Sequence, residues 1–181
     1  MNLYLIGSRC TGKTSVGKYL AGVFNHPFID ADVEISRELE TTISDFVRVN
    51  GWDAFREKER EVMARLTALE NHIIATGGGV VLDESNVNNM KKSGVLVWLK
   101  ASPEVIQKRM LKDEATFDNR PSLSDKGVVA EIEEILFQRE PLYKHAANIR
   151  IETDGKTIEE IGNSIIKELN NFRHFRHFSA L

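Results

Sequence analysis

The sequence has a single cysteine, Cys10, which excludes an internal disulfide bond and a cysteine-based metal centre. Neither sign of charge is in large excess: the sequence has 24 Lys and Arg residues and 27 Asp and Glu residues, a formal net charge of −3. This balance provides no extended basic surface for a nucleic acid or an anionic membrane. The five histidines lack the spacing of a metal site. We therefore expect no nucleic-acid partner and a reducing compartment, the cytoplasm.

Long apolar runs are absent as well, and none approaches the ~20 residues that a membrane-spanning helix needs. The first apolar run, Leu3–Ile6, has no basic residue before it and ends at Gly7, so it is too short for a secretory signal. The sequence contains no internal repeat, low-complexity segment or linker. At roughly 100–200 residues per domain, we expect one domain over residues 1–170, a tail over residues 171–181, and no membrane association.

Short apolar runs alternate with amphipathic segments, and this order predicts an α/β fold. The predicted strands are Leu3–Ile6, Phe28–Asp30, Ile73–Ala75, Val95–Leu99 and Ile149–Ile151. The predicted helices are Lys13–Phe24, Trp52–Leu69, a segment that begins at Pro103, Val128–Tyr143 and Thr157–Leu169. The strands are continuous apolar runs without alternation, so we expect a parallel sheet whose strands are buried on both faces.

One long segment, Lys112–Lys126, has neither an apolar period nor a strand pattern, and it contains Pro121. A loop of this length inside a compact domain is typically either functional or disordered. Because the other connections are short, we predict a mobile lid here, with a simple insertion as the alternative.

The segment Gly7–Thr14 matches the pattern G-x-x-x-x-G-K-[ST] between a predicted strand and a predicted helix. In such a loop successive backbone N–H groups point inward, and the helix N-terminus adds a positive potential for phosphate. The lysine brings its charge to the β- and γ-phosphates, and the Thr14 hydroxyl can ligate magnesium. A chance glycine loop is the alternative, but we predict an ATP site. Its predicted contact residues here are Cys10, Thr11, Gly12, Lys13, Thr14 and Ser15.

A second group of motifs indicates what receives the phosphate. Asp30-Ala31-Asp32 ends the second predicted strand, and alternation predicts both carboxylates on one side of the ligand-binding edge. Arg56 and Glu59 are three residues apart and therefore neighbours on a helix surface. The glycines of Gly77–Gly79 leave room for a substrate beside bare backbone. Two further motifs are Asn119-Arg120-Pro121 in the predicted lid and Arg139-Glu140-Pro141-Leu142-Tyr143 on a predicted helix.

Taken singly, these residues also have structural explanations. Asp32 could cap the next helix, and Arg56 with Glu59 could form a solvated pair on a helix surface. Gly77–Gly79 could be a simple turn, and Arg139 could be a surface arginine. The occurrence of all of them in one chain favours a functional site.

Together and in this order, the motifs resemble those of the shikimate kinases. The resemblance covers Met1 to about Leu169; the phosphate loop is shared with many NTPases, whereas DAD, FRxxE, GGG, RPSL and R-x-P-L-Y together are more specific. It implies a three-layer P-loop NTPase fold, with a five-stranded parallel sheet of order 2-3-1-4-5 flanked by helices. It also implies magnesium-dependent transfer of the ATP γ-phosphate to the 3-hydroxyl of shikimate, on the route to chorismate and aromatic amino acids.

The resemblance further implies roles for single residues. Asp32 corresponds to the carboxylate that holds the shikimate hydroxyls and orients or deprotonates the attacking one. Asp30 corresponds to a group of the magnesium shell, beside the threonine of the phosphate loop. Arg56 and Arg139 correspond to the pair that clamps the shikimate carboxylate, and Glu59 to the group that holds the first of these arginines.

On the same basis, the backbone at Gly78 and Gly79 contacts the substrate. Arg120 corresponds to the lid arginine that reaches the phosphates and acts with Lys13 in catalysis. Arg109 corresponds to an arginine that packs on adenine, although it could also be an ordinary exposed residue of a basic helix. Lys156 falls near the second adenine-side loop.

The chain departs from the family pattern at Arg9 and Cys10, where many members have a small or apolar residue and a further glycine. Arg9 is predicted to lie close to the acceptor. The tail Asn170–Leu181 lies beyond the resemblance, and its three phenylalanines recur every three residues. We expect a helix extension that packs on its own core or frays, and a monomer, with weak dimerisation through the tail as the alternative.

Two other functions remain open from the sequence. One is a different small-molecule kinase of the same fold, acting on gluconate or a nucleoside monophosphate. The second is a sensor that binds ATP without turnover, against which the intact set of Lys13, Thr14, Asp30, Asp32 and Arg120 argues.

Overall fold

The computed structural model of the protein describes residues 1–111 and 128–171. Its strands form one sheet of order β2-β3-β1-β4-β5 in which every pairing is parallel. The strands are β1 (Asn2–Ile6), β2 (Phe28–Asp30), β3 (Ile73–Ala75), β4 (Gly94–Lys100) and β5 (Ile149–Glu152). The predicted α/β class and the predicted strand order are therefore confirmed.

Helices cover both faces of the sheet. In the described ranges they are α1 (Lys13–Phe24), α2 (Ala31–Leu39), α3 (Ile43–Thr67), α4 (Glu84–Ser93), α5 (Pro103–Met110), α6 (Val128–Ala146) and α7 (Ile158–Asn171). Along β1, Tyr4 and Ile6 pack into a core shared with α2, α3, α4 and α6. Leu3 and Leu5 pack into a second core shared with α1 and α7. Alternating side chains of a strand point to opposite faces, so this strand is apolar throughout because both of its faces are buried.

The two edge strands, β2 and β5, are more exposed than predicted. In β5, Ile149 and Ile151 are buried, whereas Arg150 and Glu152 are exposed, and all of β2 is only half-buried. The expectation of burial on both faces was wrong for these two strands, which lie at the edges of the sheet where the helices cover them less completely.

Several helices differ from the sequence prediction, and α2 was absent from the predicted set. Helix α3 begins at Ile43, not Trp52, and is interrupted at Gly51, whose φ of 83° is non-helical. Helix α4 was not predicted, because its sequence ESNVNNMKKS has almost no apolar period; the Asp83 side chain caps it. Helix α6 continues through Pro141 to Ala146, beyond the predicted end.

The carboxyl ends of the strands carry the predicted motifs. The phosphate loop follows β1, Asp30 ends β2, and the glycine run follows β3. Open parallel sheets bind ligands at this edge. The predicted lid, Lys112–Lys126, with its Arg120, and the tail from residue 172 onward lie outside the described residues. Within the described ranges, every helix is too short or too polar to cross a bilayer.

Candidate active site

The phosphate loop is curled around the side chain of Lys13. Gly12 has a left-handed backbone with φ 94° and caps α1, so the lysine opens the helix as predicted. The Lys13 ammonium donates to the carbonyl oxygens of Gly7, at 2.9 Å, and Ser8, at 2.8 Å. The Thr11 hydroxyl also donates to the Ser8 carbonyl, at 2.9 Å. A curled backbone beside a buried cation and a helix N-terminus is suited to bind phosphate.

Cys10 has a φ of 59°, in the left-handed region. A residue with a side chain costs about 1–2 kcal/mol in this conformation. Glycine avoids this cost, which explains why it suits this position of the phosphate loop. The Cys10 carbonyl accepts a hydrogen bond from Arg109 Nη1 at 3.1 Å, and the same guanidinium donates to the Thr153 hydroxyl and carbonyl. Arg109 therefore links the phosphate loop to the segment after β5, where Lys156 is exposed. Ser15 is exposed on α1.

Asp30 at the end of β2 and Asp32 at the start of α2 have different neighbours. Asp30 Oδ2 accepts from the Thr14 hydroxyl at 2.7 Å, and its Oδ1 accepts from the Asp32 backbone N–H at 3.1 Å. Asp30, not Asp32, is thus the N-cap of α2. The prediction that alternation aligns both carboxylates was wrong, because Asp32 already lies in the first turn of the helix. The pair is split between the phosphate loop and the acceptor side.

Asp32 and Glu59 converge on Gly77. A Cβ atom at Gly77 would lie 2.7 Å from Asp32 Oδ1 and 2.9 Å from Glu59 Oε1. A larger residue there would have to displace these carboxylates, so glycine allows the backbone after β3 to lie against them. The first residue of the glycine run thus contributes to the packing of the acidic pair and is not merely part of a turn.

Arg56 and Glu59 form a partly buried ion pair. Their Nη1 and Oε2 atoms are 2.5 Å apart, and the side chains are 20% and 2% exposed. The guanidinium also packs on the rings of Trp52 and Phe55, at 5.2 and 5.1 Å from their centroids. These ring contacts fix the orientation of Arg56. The solvated-pair alternative was therefore wrong for this pair.

Arg139 lies close enough to Arg56 for the two charges to interact. Burial lowers the pKa of Arg139, and the positive charge of Arg56 lowers it further. Its Nη1 donates to the Gly78 carbonyl at 3.1 Å. Two adjacent guanidinium groups form a favourable site for a planar carboxylate, which each can bind through parallel N–H groups.

The predicted acceptor residues line one open cleft beside the phosphate loop. They are Asp32, Arg56, Gly78, Gly79 and Arg139. Ser8 and Arg9 border the cleft on the side of the phosphate loop.

The cleft also has an apolar wall that was not predicted from the sequence; it consists of Ile43, Trp52, Phe55 and Ile135. The start of α3 was predicted too late to include the first of these residues. Tyr143 was recognised only as part of a motif. Its hydroxyl donates to the Gly78 carbonyl. Burial raises the pKa of the Tyr143 phenol to about 12, so it remains a donor at neutral pH.

Glu59 should make the stability of the protein depend on pH. Burial raises the pKa of this carboxyl, against the opposing effect of Arg56. A raised pKa stabilises the fold below the pKa of the unfolded chain, and this contribution is lost as pH rises through the folded-state pKa. Urea unfolding between about pH 4 and 8 should therefore show the Glu59→Gln variant gaining stability relative to the wild type as the pH rises.

The matched control for this prediction is Glu57→Gln, because Glu57 is exposed on the same helix. Its stability difference from the wild type should stay constant over the same range. A constant difference for Glu59→Gln as well would contradict a raised pKa at Glu59.

Comparisons with known proteins agree with this geometry. A family model described as shikimate kinase matches residues 9–170. A shikimate kinase of Syntrophus aciditrophicus is 41% identical over 180 residues, covering 95% of this chain and 92% of that protein. The solved shikimate kinase of Acinetobacter baumannii, in complex with shikimate, has a TM-score of 0.89 at 31% identity and covers 96% of this chain and 94% of its own.

A gluconokinase from Sinorhizobium meliloti has a TM-score of 0.59 at 14% identity, covering 99% of this chain and 97% of its own. This similarity shows the fold alone. The family model, by contrast, spans most of the sequence, and the match to the Syntrophus protein covers 95% of this chain. The chain belongs to the shikimate kinase family.

Proposed function

We propose that this protein transfers the γ-phosphate of ATP to the 3-hydroxyl of shikimate, yielding shikimate 3-phosphate and ADP. As a member of its family, it is an ATP-dependent kinase that acts on shikimate. One observation carries the assignment to particular residues. Arg56, Arg139 and Asp32 line a single cleft that borders the phosphate loop. A carboxylate, a hydroxyl and a triphosphate can therefore be held side by side.

The arginine pair binds the carboxylate of shikimate. The ion pair with Glu59 and the aromatic contacts preorganise Arg56, and the bond to the Gly78 carbonyl preorganises Arg139. Preorganised groups lose little conformational entropy on binding. The carboxylate thereby fixes the orientation of the ring, and its hydroxyls are directed toward Asp32.

Asp32 orients the attacking hydroxyl and accepts its proton late in the transfer. A positioned carboxylate contributes to such a step as a general base. The transferring phosphoryl group needs mainly alignment and charge neutralisation. Lys13 supplies part of that charge when it exchanges its bonds to the loop carbonyls for phosphate oxygens.

Thr14 and Asp30 fit a magnesium ion that accompanies ATP. Both side chains end in hard oxygen atoms, 2.7 Å apart. Magnesium takes few protein ligands and completes its shell with water and phosphate oxygens. The described residues contain no cluster of three or more His, Cys, Asp or Glu side chains, and such a shell does not require one. When bound, the ion would neutralise charge on the β- and γ-phosphates.

The adenine side is assigned to Arg109, which bonds both the phosphate loop and Thr153 after β5, and to Lys156, which is exposed in that same segment. Arg120 is proposed to reach the phosphates from a lid over residues 112–126. The domain of residues 1–170 is proposed to act as a monomer. This arrangement makes water exclusion depend on lid closure, so ATP consumption should depend on shikimate.

The test is ADP release by the purified protein with magnesium and ATP, in the presence of shikimate, gluconate, AMP or no acceptor. We expect ADP release in the presence of shikimate and none with gluconate, with AMP or without an acceptor. Turnover with gluconate or AMP and none with shikimate would contradict the substrate assignment and retain the kinase fold. ATP binding without turnover of any acceptor would favour the sensor.

A further inference from the structure

Tyr143 is buried directly behind the shikimate cleft. It lies four residues after Arg139 on α6, so both side chains are on the same side of the helix. The phenol ring is 1% exposed and is stacked on Trp98 of β4, with a centroid distance of 5.8 Å and an interplanar angle of 24°. Helix and sheet together hold the ring, and its hydroxyl is directed at the Gly78 carbonyl.

Each carbonyl oxygen of Gly77–Gly79 accepts a hydrogen bond. The Gly77 oxygen accepts from the backbone of Val80 at 3.3 Å, and the Gly79 oxygen accepts from Leu82 at 2.9 Å. These bonds belong to the turn that follows the run. The Gly78 oxygen is bound differently, because its two donors are side chains of α6, Arg139 and Tyr143.

This bond controls the direction of the next backbone N–H. In a trans peptide the C=O and N–H groups point in opposite directions. Fixing the Gly78 carbonyl toward α6 therefore fixes the Gly79 N–H away from α6. A peptide between two glycines rotates more freely than any other, so external contacts must hold its orientation.

We propose that Tyr143 is a positioning residue for shikimate. Its hydroxyl fixes the peptide between Gly78 and Gly79, so that the Gly79 N–H is presented to the substrate. It also bonds the same carbonyl as Arg139, so the hydroxyl lies beside the guanidinium that we assign to the substrate carboxylate and helps to fix its position. This role rests on the proposed function, because it acts through groups that we assign to shikimate binding.

The test is Tyr143→Phe, which keeps the ring and its packing on Trp98 and removes only the hydroxyl. We expect the Kd of shikimate, measured by calorimetry, and the KM of shikimate to rise about 5- to 20-fold. The Kd and KM of ATP should stay within about twofold. A general loosening of the fold would not separate the two substrates in this way.

Tyr4→Phe is the matched control. The Tyr4 phenol is also fully buried, belongs to the same core, and bonds Ser93 Oγ at 2.7 Å and Asn2 Nδ2 at 3.0 Å. Its hydroxyl bonds Asn2, the first residue of β1, and Ser93, the residue before β4, so it lies toward the amino ends of the strands, whereas the cleft is at their carboxyl ends. Removing the Tyr4 hydroxyl should leave the Kd of shikimate unchanged, even if the midpoint of thermal unfolding falls as much as in Tyr143→Phe.

Three results would overturn the role of Tyr143. They are an unchanged Kd of shikimate in Tyr143→Phe, an equal rise in Tyr4→Phe, or an equal rise in the Kd of ATP. Turnover of the wild type with shikimate is measured first. Its absence would contradict the proposed function itself, whereas any of the three results with an active wild type would contradict only the positioning role.

Discussion

Replacing Asp32 with asparagine should lower kcat with shikimate by about 10²- to 10⁴-fold. The Kd of ATP should stay within about twofold. Asparagine has the same shape and can still hydrogen-bond to a hydroxyl, but it cannot accept the proton that leaves the attacking oxygen. Asp32 lies in the cleft and converges with Glu59 on Gly77, while Asp30 is the carboxylate that contacts the phosphate loop. The loss should therefore fall on turnover and not on nucleotide binding.

Asp30→Asn is the matched comparison, since it makes the same chemical change two residues away. Asp30 accepts from Thr14, so this variant should raise the magnesium concentration needed for half-maximal activity. Steady-state kinetics at varied shikimate, ATP and magnesium separate the two variants. If Asp32→Asn weakened ATP binding strongly, Asp32 would belong to the nucleotide side. An unchanged kcat would exclude Asp32 as the proton acceptor.

The two aspartates also show why the site could be only partly predicted from the sequence. The motif indicated correctly that carboxylates lie at the ligand-binding edge. Their division depends on where the strand ends and the helix begins, between Asp30 and Ala31. A carboxylate has two oxygens, so Asp30 can both cap α2 and bond to Thr14. Sequence periodicity contains no information on such double use.

Other parts of the fold were predictable to the extent that local patterns determine them. The strands β2 and β3 have the predicted bounds, because short apolar runs follow Pro27 and His72 and end at Asp30 and before Thr76. Helix α4 was missed, since it is held by an Asp83 cap and by only a few apolar contacts. The bond from Tyr143 to Gly78 joins residues 65 positions apart, and only the packing of α6 on the sheet brings them together.

Replacing Arg56 with methionine should have two separate effects. The affinity for shikimate should fall by an amount that corresponds to about 2–5 kcal/mol, because half of the carboxylate clamp is lost. The free energy of unfolding should also fall by about 3–5 kcal/mol at neutral pH, because Glu59 is left as a buried unpaired charge. Its side chain is 2% exposed, and no hydrogen-bond partner for its Oε1 atom is found among the described residues.

The double variant Arg56→Met with Glu59→Gln separates these effects. Removing the buried charge should restore most of the stability, measured by urea unfolding, while the affinity for shikimate, measured by calorimetry, should remain low. The stability loss of Arg56→Met alone should decrease as the pH is lowered, because burial raises the pKa of Glu59 and favours its neutral form.

Arg60→Met is the matched control, because Arg60 lies on the same helix and its Nε atom is 2.6 Å from Asp83 Oδ2. This side chain is half exposed and lies outside the cleft, so its removal should change neither the affinity for shikimate nor, to any large extent, the stability. Recovery of shikimate affinity in the double variant would show that the single variant acted through misfolding alone. A persistent loss of affinity in a stable protein would be the direct consequence of removing a guanidinium that binds the substrate.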